Sequence, residues 1–210
     1  MKLIIGNKTV SSWSMRPWVL MRHYELPFEE VLIKLDLPST TQEIKHYSPT
    51  GRVPALDDNG LMIWESVAIM EYLNEKYPEK RMYPADLKQR AIARALVMEM
   101  HAGFSAMREH LSFNAKKRHE NFDLTPCEAD IHRIKSMWAT QLKKYGGAFL
   151  FGDFSIVDAM YAPVVGRFVT YDVPVEGLVK DYLDAMMGLP AMKAWYAGAQ
   201  AEDFEATHHK

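Results

Sequence analysis

Residues 48–66 read SPTGRVPALDDNGLMIWES, and this stretch decides how the N-terminal part of the chain folds. Two short apolar runs, residues 53–57 and 61–64, flank an Asp-Asn-Gly turn. An Asn-Gly pair between apolar runs is the strongest local signal for a β-hairpin. A helical pattern follows over residues 66–77, and a proline ends it. The stretch therefore predicts a ββα unit.

The residues before this stretch predict a strand, a helix and a second strand. Residues 2–6 form a short β-rich run, residues 16–24 have a helical pattern, and residues 28–35 alternate with the period of a strand. A βαβ unit normally has parallel strands and a right-handed crossover. Residues 40–47 fit either a short helix or irregular turns. We therefore predict a small α/β domain over residues 1–80.

After residue 86 the strand patterns nearly vanish and helical periods replace them. The predicted helices cover residues 87–111, 127–145, 155–166, 179–187 and 191–199. Prolines and polar residues form the predicted linker before the first of them. The predicted fold class is thus α/β plus all-α, with the small domain followed by an all-helical domain over residues 87–210.

Composition narrows the classes of function. The chain has 210 residues and a net charge of −2, without a block of like charges, so its surface does not favour nucleic acid or an anionic membrane as partner. The N-terminal apolar run is too short for a signal peptide, and no window approaches the roughly 18–20 apolar residues of a membrane span. We therefore expect a cytoplasmic protein that binds a small molecule or another protein.

Cysteine and histidine usage excludes several chemistries. Cys127 is the only cysteine, which excludes an intramolecular disulfide, a CxxC redox pair and a multi-cysteine zinc site. The eight histidines show no HxxxH or HExxH spacing, so we expect no catalytic metal. His208 and His209 are predicted to lie in a C-terminal tail.

A group of hydroxyls precedes the first predicted helix. Residues 10–17 read VSSWSMRP, although one serine is enough to cap a helix N-terminus. Arg16 opposes the helix dipole there, typically by about 0.3–1 kcal/mol, which indicates a role other than helix stability. Such a site can hold an anion. A thiolate is one candidate, because a hydroxyl donor and the positive helix end lower the pKa of a thiol below its usual value of about 8.5.

Two further junctions carry groups that could bind a ligand. Ser66 opens the helix after the hairpin and serves either as its cap or, with Glu65, as a site for an α-amino acid group. In the second interpretation the hydroxyl and the helix amides hold a carboxylate, and Glu65 holds an ammonium. Pro54 begins a strand, where proline is tolerated although it cannot donate to the ladder.

These three junctions together resemble a known family. The first 80 residues resemble the glutathione-binding half of cytosolic glutathione transferases, especially the serine type that includes the zeta class. The resemblance rests on SSWSMRPW at residues 11–18, SPTGRVPAL at residues 48–56 and ESVAIMEYL at residues 65–73. It implies a thioredoxin-like βαβ-ββα domain, glutathione as co-substrate and a homodimer.

The resemblance also implies roles for single residues. Ser11 matches the residue whose hydroxyl stabilises the glutathione thiolate, and Ser12 is the close second choice. The predicted catalytic residues are these two serines and Arg16. Pro54 is implied to be cis, and Val53 to pair its backbone with the cysteinyl part of glutathione. The implied glutathione contacts are Lys45 (glycyl carboxylate), Arg52, Val53, Pro54, and Glu65 and Ser66 (γ-glutamyl end).

The helical half resembles the family more loosely. Residues 152–158 read GDFSIVD and match its helix-capping signature, in which Ser155 caps and Asp158 bonds back to the cap amide. An electrophile pocket is expected between the domains, where a cation would favour anionic or electron-rich substrates. Its candidate residues on the long helix are Phe104, Met107, Arg108 and Leu111.

Three functions follow from the resemblance. The first is a glutathione transferase that attacks hydrophobic electrophiles with a serine-activated thiolate. The second is cis–trans isomerisation of a maleylacetoacetate-like diacid, although Trp13 stands where the zeta signature has cysteine. The third is a non-catalytic binding protein, which intact candidates at all three glutathione subsites disfavour.

Overall fold

The computed structural model describes residues 1–203 and has the predicted order of elements, so the predicted fold class is confirmed. His208 and His209 lie outside the described residues. The strands are β1 (Lys2–Gly6), β2 (Glu29–Ile33), β3 (Ala55–Asp58) and β4 (Leu61–Trp64). The helices are α1 (Ser12–His23), α2 (Thr40–Lys45), α3 (Ser66–Lys76), α4 (Leu87–Ala102), α5 (Ser105–His110), α6 (Glu128–Tyr145), α7 (Ile156–Thr170), α8 (Gly177–Gly188) and α9 (Pro190–Ala201).

The sheet places three loops at one edge. Its strand order is β2-β1-β3-β4, with β1 parallel to β2 and antiparallel to β3, and β3 antiparallel to β4. Ala55 begins β3 and lies opposite both Ile4 of β1 and Trp64, the last residue of β4. The segments that follow β1, precede β3 and follow β4 therefore all lie at the same edge. They are the three junctions that the sequence singled out.

One core joins the sheet layer to the helical part. Helix α1 packs against α3, and on other faces against α7 and α9 of the C-terminal half. Met15 and Val19 of α1 are fully buried in the same cluster as Met160 of α7 and Trp195 of α9. The N-terminal end of α1 is thus fixed from both halves of the molecule. The division between domains near residues 80–87 stays a prediction.

The first helix begins four residues earlier than predicted. Helix α1 starts at Ser12, because the carbonyl of Ser11 already accepts from the amide of Met15 at 3.2 Å. Pro17 therefore lies inside the helix and not in its first turn. The three serines consequently occupy the cap and the first turn of α1, with Ser11 at the cap and Ser14 fully buried.

The prediction of one long helix over residues 87–111 is wrong. Helix α4 ends at Ala102, and Phe104 has a left-handed backbone (φ 59°) before α5 begins. Glycine is a poor helix former, so Gly103 weakens the continuous pattern. The guanidinium of Arg108 donates to the carbonyls of Met100 and His101, which satisfies the last turn of α4.

The remaining predicted elements are present with shifted ends, and the capping prediction for α7 is confirmed. Asp158 accepts from the amide of Ser155 at 2.9 Å and from the amide of Leu150 at 3.1 Å, while Ser155 Oγ accepts from the amide of Val157 at 3.3 Å. Burial raises the pKa of Asp158 to about 6, although these hydrogen bonds lower it.

Within residues 1–203, no helix combines the length and the apolarity that crossing a bilayer requires.

Candidate active site

A cavity of about 320 Å³ opens at the edge where the three loops meet. Five of the six predicted glutathione contacts line it, namely Arg52, Val53, Pro54, Glu65 and Ser66. Sequence reasoning missed the other lining residues, which are Trp13, Thr50 and His101. The cavity therefore combines groups from the cis-proline loop, the start of α3, the first turn of α1 and the end of α4.

The loop before β3 is ordered by its own hydrogen bonds. The Val53–Pro54 peptide bond is cis, as predicted. Ser48 is buried; its amide donates to the carbonyl of Ile44 at 2.8 Å, and its hydroxyl lies 2.8 Å from that of Thr50. Val53 lies two residues before Ala55, where the ladder begins, so its backbone is not paired with a neighbouring strand.

Glu65 and Ser66 present polar groups at the start of α3. Glu65 has a positive φ of 69°, a conformation that costs a non-glycine residue free energy and that clusters at functional sites. Ser66 is 1% exposed, and its hydroxyl has no hydrogen-bond partner within residues 1–203. The side chain does not cap α3, because Glu65 holds the cap position and Ser66 is the first helical residue. A buried hydroxyl without a partner is costly, and a ligand that accepts from Ser66 would remove this cost.

The serines at the start of α1 differ in their bonding. Ser11 Oγ donates to Ser14 Oγ at 2.8 Å, and the amide of Gly6 donates to the same Ser14 oxygen at 3.1 Å. Ser12 Oγ has no hydrogen-bond partner in the described part of the chain, and Ser11 and Ser12 are both buried. Neither side chain belongs to the cavity lining, which begins at the adjacent Trp13.

Two arginines stack on Trp13. The guanidinium carbon of Arg16 lies 3.9 Å from the centroid of the Trp13 ring, and that of Arg108 lies 4.9 Å from it. Arg16 is 1% exposed, and its Nε and Nη1 have no hydrogen-bond partner in residues 1–203. Burial lowers the pKa of Arg16 well below its ordinary value, and the positive charges of Arg108 and Arg167 lower it further. Arg16 thus acts behind Trp13 and does not line the cavity.

His101 brings the C-terminal half to the cavity. Its ring meets that of Trp13 edge-on at 5.4 Å between centroids, and its Nδ1 is buried without a partner in the described residues. Burial lowers the pKa of His101, and the charges of Arg16 and Arg108 lower it further, whereas Glu65 opposes this. The imidazole is therefore neutral at neutral pH, where it can accept a hydrogen bond.

Several predicted site residues lie elsewhere. Lys45 ends α2 as an exposed residue beside the loop and does not line the cavity. The structure does not bring Phe104, Met107 and Leu111 to the cavity, because all three are buried in the core. Arg108 is partly buried and does not line the cavity, but it contacts two lining residues, the ring of Trp13 and the carbonyl of His101. Within residues 1–203 no three His, Cys, Asp or Glu side chains come together in a way that would hold a metal ion.

Comparison with known proteins confirms the resemblance at family level. A model of the glutathione S-transferase N-terminal domain matches residues 10–76, and a model of the C-terminal domain matches residues 89–198. The chain belongs to the glutathione S-transferase family. The cavity lies where the two parts of this family fold meet.

Individual family members resemble the chain to different extents. Glutathione S-transferase L1 of Arabidopsis thaliana is 25% identical over 185 residues, which is 87% of this chain and 71% of that protein. Maleylacetoacetate isomerase of Mus musculus is 36% identical over 86 residues, which is 40% of each chain. The crystal structure of a glutathione transferase homolog from Burkholderia gl BGR1, with bound glutathione, has a TM-score of 0.70 and 27% identity, covering 96% of this chain and 98% of its own.

Proposed function

We propose that the chain is a glutathione transferase that binds glutathione in the cavity and activates its thiol at the N-terminal end of α1. The observation that carries this proposal is the buried, unpartnered hydroxyl of Ser66, which lines the cavity beside Glu65. The glutathione bound to the related crystal structure supports the same ligand here.

Each part of glutathione has a complementary group in the cavity. Ser66 Oγ and the free amides at the start of α3 donate to the γ-glutamyl carboxylate, and Glu65 accepts from the ammonium. The backbone of Val53 pairs with the cysteinyl part, next to the cis bond. Arg52 lines the cavity and binds the glycyl carboxylate in this proposal, in place of Lys45, which does not line it.

Ser11 holds the thiolate in this proposal. Its oxygen and that of Ser14 are 2.8 Å apart, and the amide of Gly6 fixes Ser14. Hydroxyl protons rotate, so Ser14 can donate to Ser11 while Ser11 donates to the sulfur. Ser12, whose hydroxyl is uncommitted in the described residues, is the alternative donor. Either hydroxyl, together with the positive end of α1, favours the charged form of the thiol.

The reaction is a nucleophilic attack without a covalent enzyme intermediate. The thiol of glutathione loses its proton to solvent, and the serine hydroxyl stabilises the thiolate that forms. A sulfur electron pair forms the bond to the electrophilic carbon, and the leaving group departs with the electrons of the bond that breaks. Trp13 and His101 form the wall that the electrophile contacts, in place of Phe104, Met107 and Leu111.

Replacing Ser66 with alanine should weaken glutathione binding by roughly 10- to 100-fold, because a hydrogen bond to a charged group contributes about 1.5–3 kcal/mol. Isothermal titration of the purified protein with glutathione measures the dissociation constant. Ser66→Thr keeps the hydroxyl and should bind nearly as tightly as the wild type. Equal affinity of the alanine variant and the wild type, or no binding by the wild type, would contradict the proposal.

We also propose a homodimer, and an exposed apolar stripe on α4 supports it. Leu87, Ala91, Ala95 and Met98 recur at helical spacing on one face of α4, and all four are exposed. Leu87 is 70% exposed and Met98 is 49% exposed. Exposed apolar patches on a folded chain mark interfaces. A second copy that offers the same stripe would cover it around a two-fold axis.

Met98→Lys should weaken the dimer by at least about tenfold, because it places a charge among apolar groups. Sedimentation equilibrium gives the dissociation constant. Leu178→Lys is the matched control, because Leu178 is also 49% exposed but lies on α8. A monomeric wild type, or two variants with the same dissociation constant, would rule out this surface.

The second candidate function is isomerisation of a diacid by the same thiolate. The match to maleylacetoacetate isomerase and the two arginines stacked on Trp13 favour it, because a dianion needs positive charge nearby. Trp13 itself disfavours it, since Trp13 lines the cavity whereas the two arginines do not. Comparing turnover of a maleylacetoacetate-like diacid with that of a neutral electrophile distinguishes the two functions directly.

A further inference from the structure

In the loop between β1 and Ser11, two backbone amides have no backbone acceptor. The carbonyl of Asn7 accepts from the amides of Val10 (3.2 Å) and Ser11 (2.8 Å), which closes the loop onto itself. The amides of Lys8 and Thr9 have no backbone acceptor in this turn. Buried backbone amides require a partner. The partner comes from the opposite end of the chain.

Glu202 supplies that partner. One carboxylate oxygen accepts from the amide of Lys8 at 2.6 Å, and the other accepts from the amide of Thr9 at 3.1 Å and from Thr9 Oγ1 at 2.6 Å. A carboxylate that accepts three hydrogen bonds in this way forms a strong, directional contact. It completes the hydrogen bonding of the loop two residues before Ser11.

The position of Glu202 is not explained by helix stability. It follows the last residue of α9, where a negative charge opposes the helix dipole. Lys116 Nζ donates to the carbonyl of Glu202 at 2.7 Å and holds its backbone, while the amide of Ala115 donates to the carbonyl of Thr9 at 2.8 Å. Two segments of the C-terminal half therefore fix the same short loop of the N-terminal half.

We propose that Glu202 is a positioning residue for thiol activation. Its carboxylate holds the loop of residues 7–10 so that the Ser11 hydroxyl meets the sulfur of glutathione at the N-terminal end of α1. This inference rests on the proposed glutathione transferase function. Displacing a reacting group by about 1 Å costs up to roughly 100-fold in rate, so a loop held by three hydrogen bonds can set activity from outside the cavity.

The experiment compares Glu202→Ala, Glu202→Gln and Glu71→Ala with the wild type. The readout is the pKa of the bound glutathione thiol, measured from the ultraviolet absorbance of the thiolate as a function of pH. Glu71 is the matched control: it accepts from Tyr83 Oη at 2.7 Å and from Arg94 at 3.2 Å, far along the chain from the serine loop. A merely stabilising contact changes the melting temperature without moving the thiol pKa.

We expect Glu202→Ala to raise the thiol pKa by about one unit, which is a tenfold decrease in the acid dissociation constant of the bound thiol. Glu202→Gln, which keeps an acceptor oxygen, should give a smaller rise, and Glu71→Ala should give none. An unchanged thiol pKa in Glu202→Ala, or an equal rise in Glu71→Ala, would overturn the inference.

If the proposed glutathione transferase function is wrong, the experiment gives a different result from the one expected if only the Glu202 inference is wrong. In that case the wild type itself binds no glutathione or leaves its thiol pKa unchanged. Hydrogen exchange at the amides of Lys8 and Thr9, without glutathione, then still tests the contact, because exchange should be faster in Glu202→Ala than in the wild type. Equal exchange in both would show that Glu202 does not hold the loop.

Discussion

Ser11→Ala should lower kcat/KM for glutathione conjugation by roughly 100- to 1,000-fold, the range found when one preorganised donor to a developing or full anion is removed. The donor acts on a buried charge, because Ser11 is 7% exposed and lies at the cap of α1. Steady-state kinetics with a neutral aromatic electrophile measure the change. Glutathione affinity should change much less, since the γ-glutamyl contacts at Glu65 and Ser66 are intact.

The dependence of the rate on pH tests separately whether Ser11 acts by lowering the pKa of the bound thiol. Loss of the hydroxyl donor raises the pKa of the bound thiol, so the rate of Ser11→Ala should recover as the pH rises towards the ordinary thiol value of about 8.5. Ser14→Ala should give a smaller loss, because Ser14 acts through Ser11. If Ser12→Ala lost activity and Ser11→Ala did not, the thiolate donor would be Ser12.

The sequence identified the edge of the sheet where the cavity lies. Strand order and register follow from short-range signals: the Asn-Gly turn fixes the β3–β4 hairpin, and a right-handed βαβ unit places β1 beside β2. With β3 next to β1, the serine loop, the Val53–Pro54 bond and Ser66 must lie at one edge. Local patterns therefore identified five of the cavity residues of the N-terminal half, but not Trp13 or Thr50.

The wall from the C-terminal half could not be predicted in the same way. Helical periodicity marks Phe104, Met107 and Leu111 as apolar, but it does not distinguish a core from a pocket. The structure places them in the core because α4 ends at Ala102 and the chain turns at Phe104. His101 lies at the cavity because α4 ends there. A single histidine in a helical pattern gives no sign in the sequence that it lines a cavity.

Trp13 shows a related difficulty. In the sequence, Trp13 is a departure from the zeta signature. In the structure, Trp13 lines the cavity and its ring contacts Arg16 and Arg108. The contact of Glu202 with Lys8 and Thr9 joins residues more than 190 positions apart. Neither periodicity nor motif spacing contains information about a pairing of that kind.

Asp158→Ala should lower the free energy of unfolding by about 3–7 kcal/mol. Loss of the capping interaction contributes about 1 kcal/mol, and the amides of Leu150 and Ser155 would each remain buried without an acceptor, at about 1–3 kcal/mol each. For a chain of this size the melting temperature should fall by roughly 10–20 °C. Differential scanning calorimetry measures it. Asp153→Ala is the control, because Asp153 is exposed in the same signature and should stay within about 0.5 kcal/mol of the wild type.

The pH dependence of stability distinguishes the effect of the Asp158 charge from that of the side chain's size and shape. Burial raises the pKa of Asp158 to about 6 in the folded protein, above its ordinary value of 3.8. Between these values the folded state binds more protons than the unfolded state, so this residue's contribution to stability decreases as the pH rises from about 4 to 6. Asp158→Asn cannot titrate, and the stability of the wild type relative to this variant should fall across that window. A constant difference between the two proteins would mean that the hydrogen bonds to Asp158 outweigh burial, and that Asp158 remains ionised throughout.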